Sequence, residues 1–291
     1  MVVRRLHDRL LDDEAVLERF RLEALAAARL NHGHVANLFD VTVRDGLAYT
    51  VGEYVDGPSL TRLMQDGPLD PVVVAAIGHQ AGLGLAAAHE AGIVHRDMRP
   101  GNLLIGRDGR VRIVDFGSAR IPDPEHDRYD DGQTRAEVYL APEQLDSGVV
   151  GTDRSDVYAL GRTLLRALEG YGPPGPDVTG PDVADLGSPD RASSGDGDDD
   201  PAVGPDDANG GERLIGRLMA AIPGLPLGAS RHDELREQLA AATHPDPERR
   251  PTASELAASL RTFYDRRADE VLRRLVSELP ATEFGRRLVE R

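Results

Sequence analysis

The stretch "IVHRDMRPGNLLI" occupies residues 93–105. Its middle is charged and hydrogen-bonding, and its two ends are apolar. Asp97 and Asn102 stand five residues apart, with Pro100 and Gly101 between them. An acid and an amide on a loop held between two apolar runs are placed for chemistry, because loops on a rigid scaffold carry most binding and catalytic groups. A lone Asp in a loop is more often a turn or capping residue. The stretch therefore gains its meaning from the elements around it.

Working outward, residues 71–90 read as a long, Ala-rich, buried helix leading into the loop. The loop is followed by two short β-type runs, "NLLI" and "VRIVDF", separated by "GRDG", a hairpin signal. Upstream, residues 15–30 have helical spacing and a stop near Gly33. "VANLFDVTV" and "LAYTVGEYV" read as two strands joined at "RDG". Downstream, 155–169, 212–220, 232–242 and 252–279 read as helices, and Pro280 breaks the last. Val271, Leu272, Leu275, Val276 and Leu279 give the final segment one apolar face, suited to lying on the domain or to binding a partner. Residues 172–211 carry ten Asp, one Arg and no aromatic residue. Such a segment cannot bury enough surface to offset its ordering entropy, so it reads as a disordered acidic insertion.

The 291 residues carry a formal charge of −16, which argues against non-specific binding to nucleic acid or anionic lipid. No run approaches ~18 consecutive apolar residues, so a bilayer span is not expected. No cysteine is present, which excludes disulfides and thiolate metal sites. Together with the lack of a signal-peptide pattern, these features make a cytoplasmic protein the expectation. All 34 basic residues are arginine. A GC-rich genome would produce this bias, but the accompanying excess of Asp favours a halophilic source.

Five spaced elements occur in one order: "HRDMRPGN" (95–102), "DFG" (115–117), "APE" (141–143), "SDVYALG" (155–161) and "DPERRP" (246–251). This series resembles the eukaryotic-type protein kinases, and "FRLEALAAARLNH" (20–32) is similar to their prokaryotic Ser/Thr branch. The resemblance covers residues 1–264. It implies an α+β, bilobal, protein-kinase-like fold, with an incomplete N-terminal β lobe at 1–56 and a mostly helical C-terminal lobe at 57–264. Residues 265–291 would form a helical tail. Small-molecule kinases of the aminoglycoside type share an Asp/Asn loop but lack the last three elements.

The resemblance also implies roles. Asp97 would accept or orient the hydroxyl proton of a protein substrate. Asn102 and Asp115 would offer hard oxygen ligands to Mg²⁺, and Arg99 would steady the transferred phosphate in place of the usual lysine. ATP would lie among Arg4, Glu23, Glu53, Val55, Leu104 and Asp115. Glu143 would pair with Arg250, His95 and Phe116 would pack, and Asp156 would cap its helix and hold the loop backbone. The implied partners are a protein substrate or signalling partner, with neither nucleic acid nor membrane.

The pattern departs from the family in several places. "MVVR" (1–4) puts Arg4 where the nucleotide-gripping lysine belongs, and no Gly-rich loop precedes it. A guanidinium is larger, planar and differently directed than an ammonium. Val2 stands where the family has alanine, and Gly52 where it has a bulky residue. "RAEVYL" (135–140) lacks the usual Gly-Thr: Ala136 replaces the threonine, with Thr134 two residues earlier. Three readings follow. In one, an active kinase's true start lies upstream; in another, a pseudokinase serves as a binding or scaffolding module; in the third, the chain is a truncated remnant without function.

Overall fold

A computed structural model describes residues 1–5, 24–44, 47–65, 67–116, 137–145, 151–170, 229–263 and 266–277. The acidic segment 172–211, the helical pattern at 212–220, Glu23, Thr134 and Ala136 lie outside the described residues, as do the side chains of Arg4 and Leu275.

Three antiparallel strands form the small lobe: β1 (Val2–Arg5), β2 (Leu38–Arg44) and β3 (Leu47–Gly52). Their order is β1–β3–β2, with Val3 opposite Val51 and Arg4 opposite Thr50. The expected second strand begins three residues late. Glu53 and Asn37 exchange backbone and side-chain hydrogen bonds at its start, and a bulge between Leu38 and Asp40 breaks the register. Phe39, at that bulge, is exposed. Residues 24–27 are helical, and Ala24, Ala27 and Leu30 are buried.

The large lobe is built on α1 (Leu60–Met64) and α2 (Pro71–Glu90). Asp70 caps α2 by accepting from the Val72 N–H, and Pro71 occupies the first turn, where its missing N–H costs nothing. Burial outweighs that bond and pushes the Asp70 carboxyl above its ordinary range. By length and composition α2 is apolar enough to cross a bilayer, but it lies mostly buried inside the lobe, as a core helix does. Its small residues set its neighbours' distance. A Cβ at Gly78 would come within 2.6 Å of Leu164 and Leu260, and one at Gly82 within 2.9 Å of the Ala257 Cβ. The helices that close on it are α4 (Asp153–Glu169) and α6 (Ala253–Arg261), with α5 (Ala229–Ala242) behind them.

Between α2 and α4 lie the hairpin β4 (Leu103–Ile105) and β5 (Val111–Ile113), and the short α3 (Pro142–Leu145). Ile77, Leu85, Leu103, Ile105, Ile113, Leu160 and Leu164 share one core. Full burial of each such side chain stabilises the fold by roughly 1.5–3 kcal/mol.

Two sequence expectations need correction. Residues 252–279 do not form one helix: α6 ends at Arg261, Phe263 is buried in the following turn, and α7 (Arg266–Ser277) starts afresh. The turn lets both segments direct apolar faces into the same core, where Val271, Leu272 and Val276 are buried. Nor does Asp156 cap α4. That cap is Thr152, paired with Ser155 in a reciprocal capping box.

Candidate active site

The loop between α2 and β4 is held from beneath by one buried carboxylate. Asp156 is 1% exposed; its Oδ2 accepts from the His95 N–H and its Oδ1 from the Arg96 N–H, both at 2.7 Å. His89 Nε2 lies 2.9 Å from the same Oδ2. Bonds to an ionised acceptor in a dry setting are short and strong. They hold Arg96 at φ 66°, a left-handed conformation that long side chains rarely adopt. Asp115, at φ 68°, is the other such residue among those described. Non-glycine strain of this kind costs on the order of 1–3 kcal/mol and clusters at functional sites.

His95 fastens the loop to the end of β5. Its Nδ1 accepts from the Asp97 N–H at 3.2 Å, so the ring proton is on Nε2, which donates to the Val114 carbonyl at 2.8 Å. The ring meets Phe116 edge-on, with centroids 4.6 Å apart. His95 and Phe116 therefore pack, as the sequence suggested.

Asp97 and Asn102 are in direct contact. Asn102 Nδ2 donates to the Asp97 carbonyl at 2.8 Å and to its Oδ2 at 3.0 Å. Arg99 Nε stands 3.3 Å from that same Oδ2. With Oδ2 so engaged, Oδ1 is the Asp97 oxygen placed to take a proton. Spending the amide nitrogen on Asp97 likewise turns the Asn102 amide oxygen toward other ligands. The Val114 N–H donates to the Asn102 carbonyl at 3.0 Å, which ties the backbone just before Asp115 to the loop. Amide and carboxylate oxygens suit a hard divalent cation. Among the described residues no group of three or more His, Cys, Asp or Glu forms a metal cage. Mg²⁺ needs none, since one or two protein ligands, water and phosphate oxygens complete its shell.

The other wall is the segment linking the lobes. The Glu53 Oε2 accepts from the Asn37 backbone and side-chain nitrogens at 3.0 Å, and its Oε1 pairs with Arg112 Nε at 3.2 Å. Its carboxylate is therefore engaged by protein groups on both oxygens. Val55 is buried and Leu104 half-buried. Both lie along the seam where the Ile105 N–H donates to the Pro58 carbonyl and the Arg107 N–H to that of Asp56. The described residues bring the Asp97, Arg99 and Asn102 side chains together; Arg4 belongs to β1, and its side chain and Glu23 lie outside the described residues.

Glu143 and Arg250 form the expected bridge. The fork of Arg250 donates to both Glu143 oxygens at 2.6 and 2.7 Å, and to the carbonyls of His244, Pro245 and Arg154. Tyr158 lies under the guanidinium, 4.9 Å away. Burial alone would push the Glu143 carboxyl up, but its bonds to Arg250 bring it below the ordinary range.

The protein kinase domain family matches residues 2–260. This chain belongs to that family. A probable serine/threonine-protein kinase of Clostridium perfringens is 34% identical over 174 residues, 60% of this chain and 25% of that protein. The serine/threonine-protein kinase PknL of Mycobacterium tuberculosis is 38% identical over 169 residues, 58% of this chain and 42% of that protein. The crystal structure of the M. tuberculosis PknI kinase domain superposes with a TM-score of 0.59 at 26% identity, covering 90% of this chain and 84% of that one. The kinase-like fold, with its helical large lobe, is thereby established. The chain spans a quarter to two fifths of the length of these curated relatives.

Sequence reasoning missed His89, which shares the Asp156 carboxylate, and the Asn37–Glu53–Arg112 linkage. His89 gave a weak signal, as a polar residue in the last turn of an apolar helix. The linkage gave none, because its members are scattered over 75 positions.

Proposed function

We propose that this domain transfers the γ-phosphate of ATP to serine or threonine hydroxyls of protein substrates. The observation that carries this is the Asp97–Asn102–Arg99 cluster, with Asp115 tied in through Val114. Asp97 Oδ1 receives or orients the substrate hydroxyl proton. Asn102 holds Asp97 in place with its nitrogen and offers its oxygen to Mg²⁺, and Asp115 adds a carboxylate. Mg²⁺, when bound, neutralises phosphate charge and orients the transferred group. Arg99 steadies both Asp97 and the phosphate.

A second reading is favoured by Arg4: a pseudokinase that binds partners without transfer. Mg²⁺-dependent ATP binding, followed by labelled-phosphate transfer to a generic protein substrate, separates the two. Binding with transfer supports the kinase, and binding without transfer supports the scaffold. The charge of −16 and the complete replacement of lysine by arginine support a halophilic source, so both assays belong at high as well as low salt.

A further inference from the structure

Helix α7 lies beyond residue 260, where the family match ends, yet it touches the hairpin that carries the proposed metal ligands. Asn102 immediately precedes β4, and Asp115 stands two residues past β5. The turn joining these strands packs on α7 with no room to spare. A Cβ at Gly109 would lie 2.6 Å from Arg273 Cγ and 3.0 Å from the Asp269 carbonyl oxygen. Gly109 also has φ 77°, so a side chain is doubly unwelcome there.

Gln80 is the link. It is the buried polar side chain of α2, 6% exposed, facing the hairpin. Its Oε1 accepts from the Val111 N–H at 2.8 Å. Its Nε2 donates to Asp269 Oδ1 at 3.3 Å and reaches the Gly109 carbonyl at 3.5 Å. One amide therefore satisfies a β5 backbone donor, the turn and α7 together. A buried amide must have partners, so removing any of them leaves a costly unmatched group.

We infer that α7 is a clamp built into the chain, and that Gln80 and Asp269 are positioning residues through which it fixes the hairpin bearing Asn102 and Asp115. The importance of that hairpin rests on the function proposed above; the clamp itself does not.

The test uses the full chain. Amide hydrogen exchange is followed at 103–113 and 266–277, together with the Mg²⁺ midpoint for binding an ATP analogue. Gln80→Glu still accepts from Val111 but sets a carboxylate against Asp269. Exchange in both segments should quicken about tenfold, and the Mg²⁺ midpoint should rise. Adding Asp269→Asn restores a donor opposite an acceptor with the polarity reversed, and should return both readings toward wild type. A general packing defect at position 80 would not be rescued this way. Should Gln80→Glu fail to fold, Asp269→Ala removes only the acceptor and should loosen both segments together. Loosening confined to 266–277 overturns the clamp, as does a double variant no better than Gln80→Glu. An unchanged Mg²⁺ midpoint beside faster exchange overturns the positioning role. A wild-type chain that never binds the analogue would refute the proposed function, and exchange would still decide the clamp.

Discussion

The two walls of the candidate site are held in different ways. On the large-lobe side, the loop carrying Asp97 and Asn102 is fixed by buried polar bonds from Asp156, His95 and Val114. On the small-lobe side, β1 and β2 hold their places mainly by pairing with β3, and Val3 and Phe39 are more than half exposed. The contrast shows where the fold's energy is concentrated. An unpaired buried polar group costs more than an exposed apolar one loses, so the loop beneath the chemistry cannot shift without large penalties. Among the described residues the small-lobe strands are tied by the Asn37–Glu53–Arg112 linkage at the ends of β2 and β3 and by backbone pairing.

The largest effect should come from Arg250→Ala, which strands three carbonyls and Glu143. It should cost about 3 kcal/mol, the low end for a broken buried pair because Glu143 is partly solvated; denaturant unfolding measures it. Next comes Asp156→Asn, which keeps one oxygen acceptor where two backbone donors need partners. A loss of about 1–3 kcal/mol is expected, with exchange rising at the His95 and Arg96 amides.

Acid should act on stability through His34 at the junction of the lobes and through Glu143 in the large lobe, among other carboxylates. Burial lowers the His34 imidazole below 6.5, and its hydrogen bond to the Val111 carbonyl offsets only part of that. The unfolded chain therefore takes up this proton more readily than the folded one, and stability falls as pH drops below about 6.5. Glu143 is lowered from 4.5, so its contribution is full above that value and disappears as pH falls through its lower folded value. Melting temperature against pH should show both steps, and His34→Gln should flatten the first. The smallest effect belongs to the exposed strands: Val3→Thr and Phe39→Ser should each change stability by no more than about 0.5 kcal/mol. A loss comparable to that of Asp156→Asn would erase the distinction between the two walls.

What was legible in the sequence follows the same division. Asp97, Asn102, Asp115, Glu143 and Arg250 could be picked out because their motifs, in one order, resemble the protein-kinase family, which implies roles for those positions. The helix at 71–90 was equally clear, since a long apolar run capped by Asp70 and Pro71 leaves little choice. Asp156 was half legible. Its grip on the loop backbone was foreseen, but Thr152 supplies the cap, a local competition that spacing alone does not decide. The break after Arg261 was invisible because "TFYDRR" contains neither Gly nor Pro; tertiary packing of Phe263 makes it. The partners of the Glu53 carboxylate, Asn37 and Arg112, were not legible, because they are far away in sequence. A lone Gln in an apolar helix was the visible trace of the Gln80 network, and only the fold names its partners.

The most direct measurement is phosphate transfer by wild type and Asp97→Asn, taken together with Mg²⁺-dependent ATP affinity in the same samples. Transfer in wild type, a drop of about 10²–10⁴-fold in the variant, and affinity kept within a few-fold are the predicted results. Equal transfer by both proteins, or loss of nucleotide binding along with Asp97, would contradict the assignment of this loop as the seat of the chemistry.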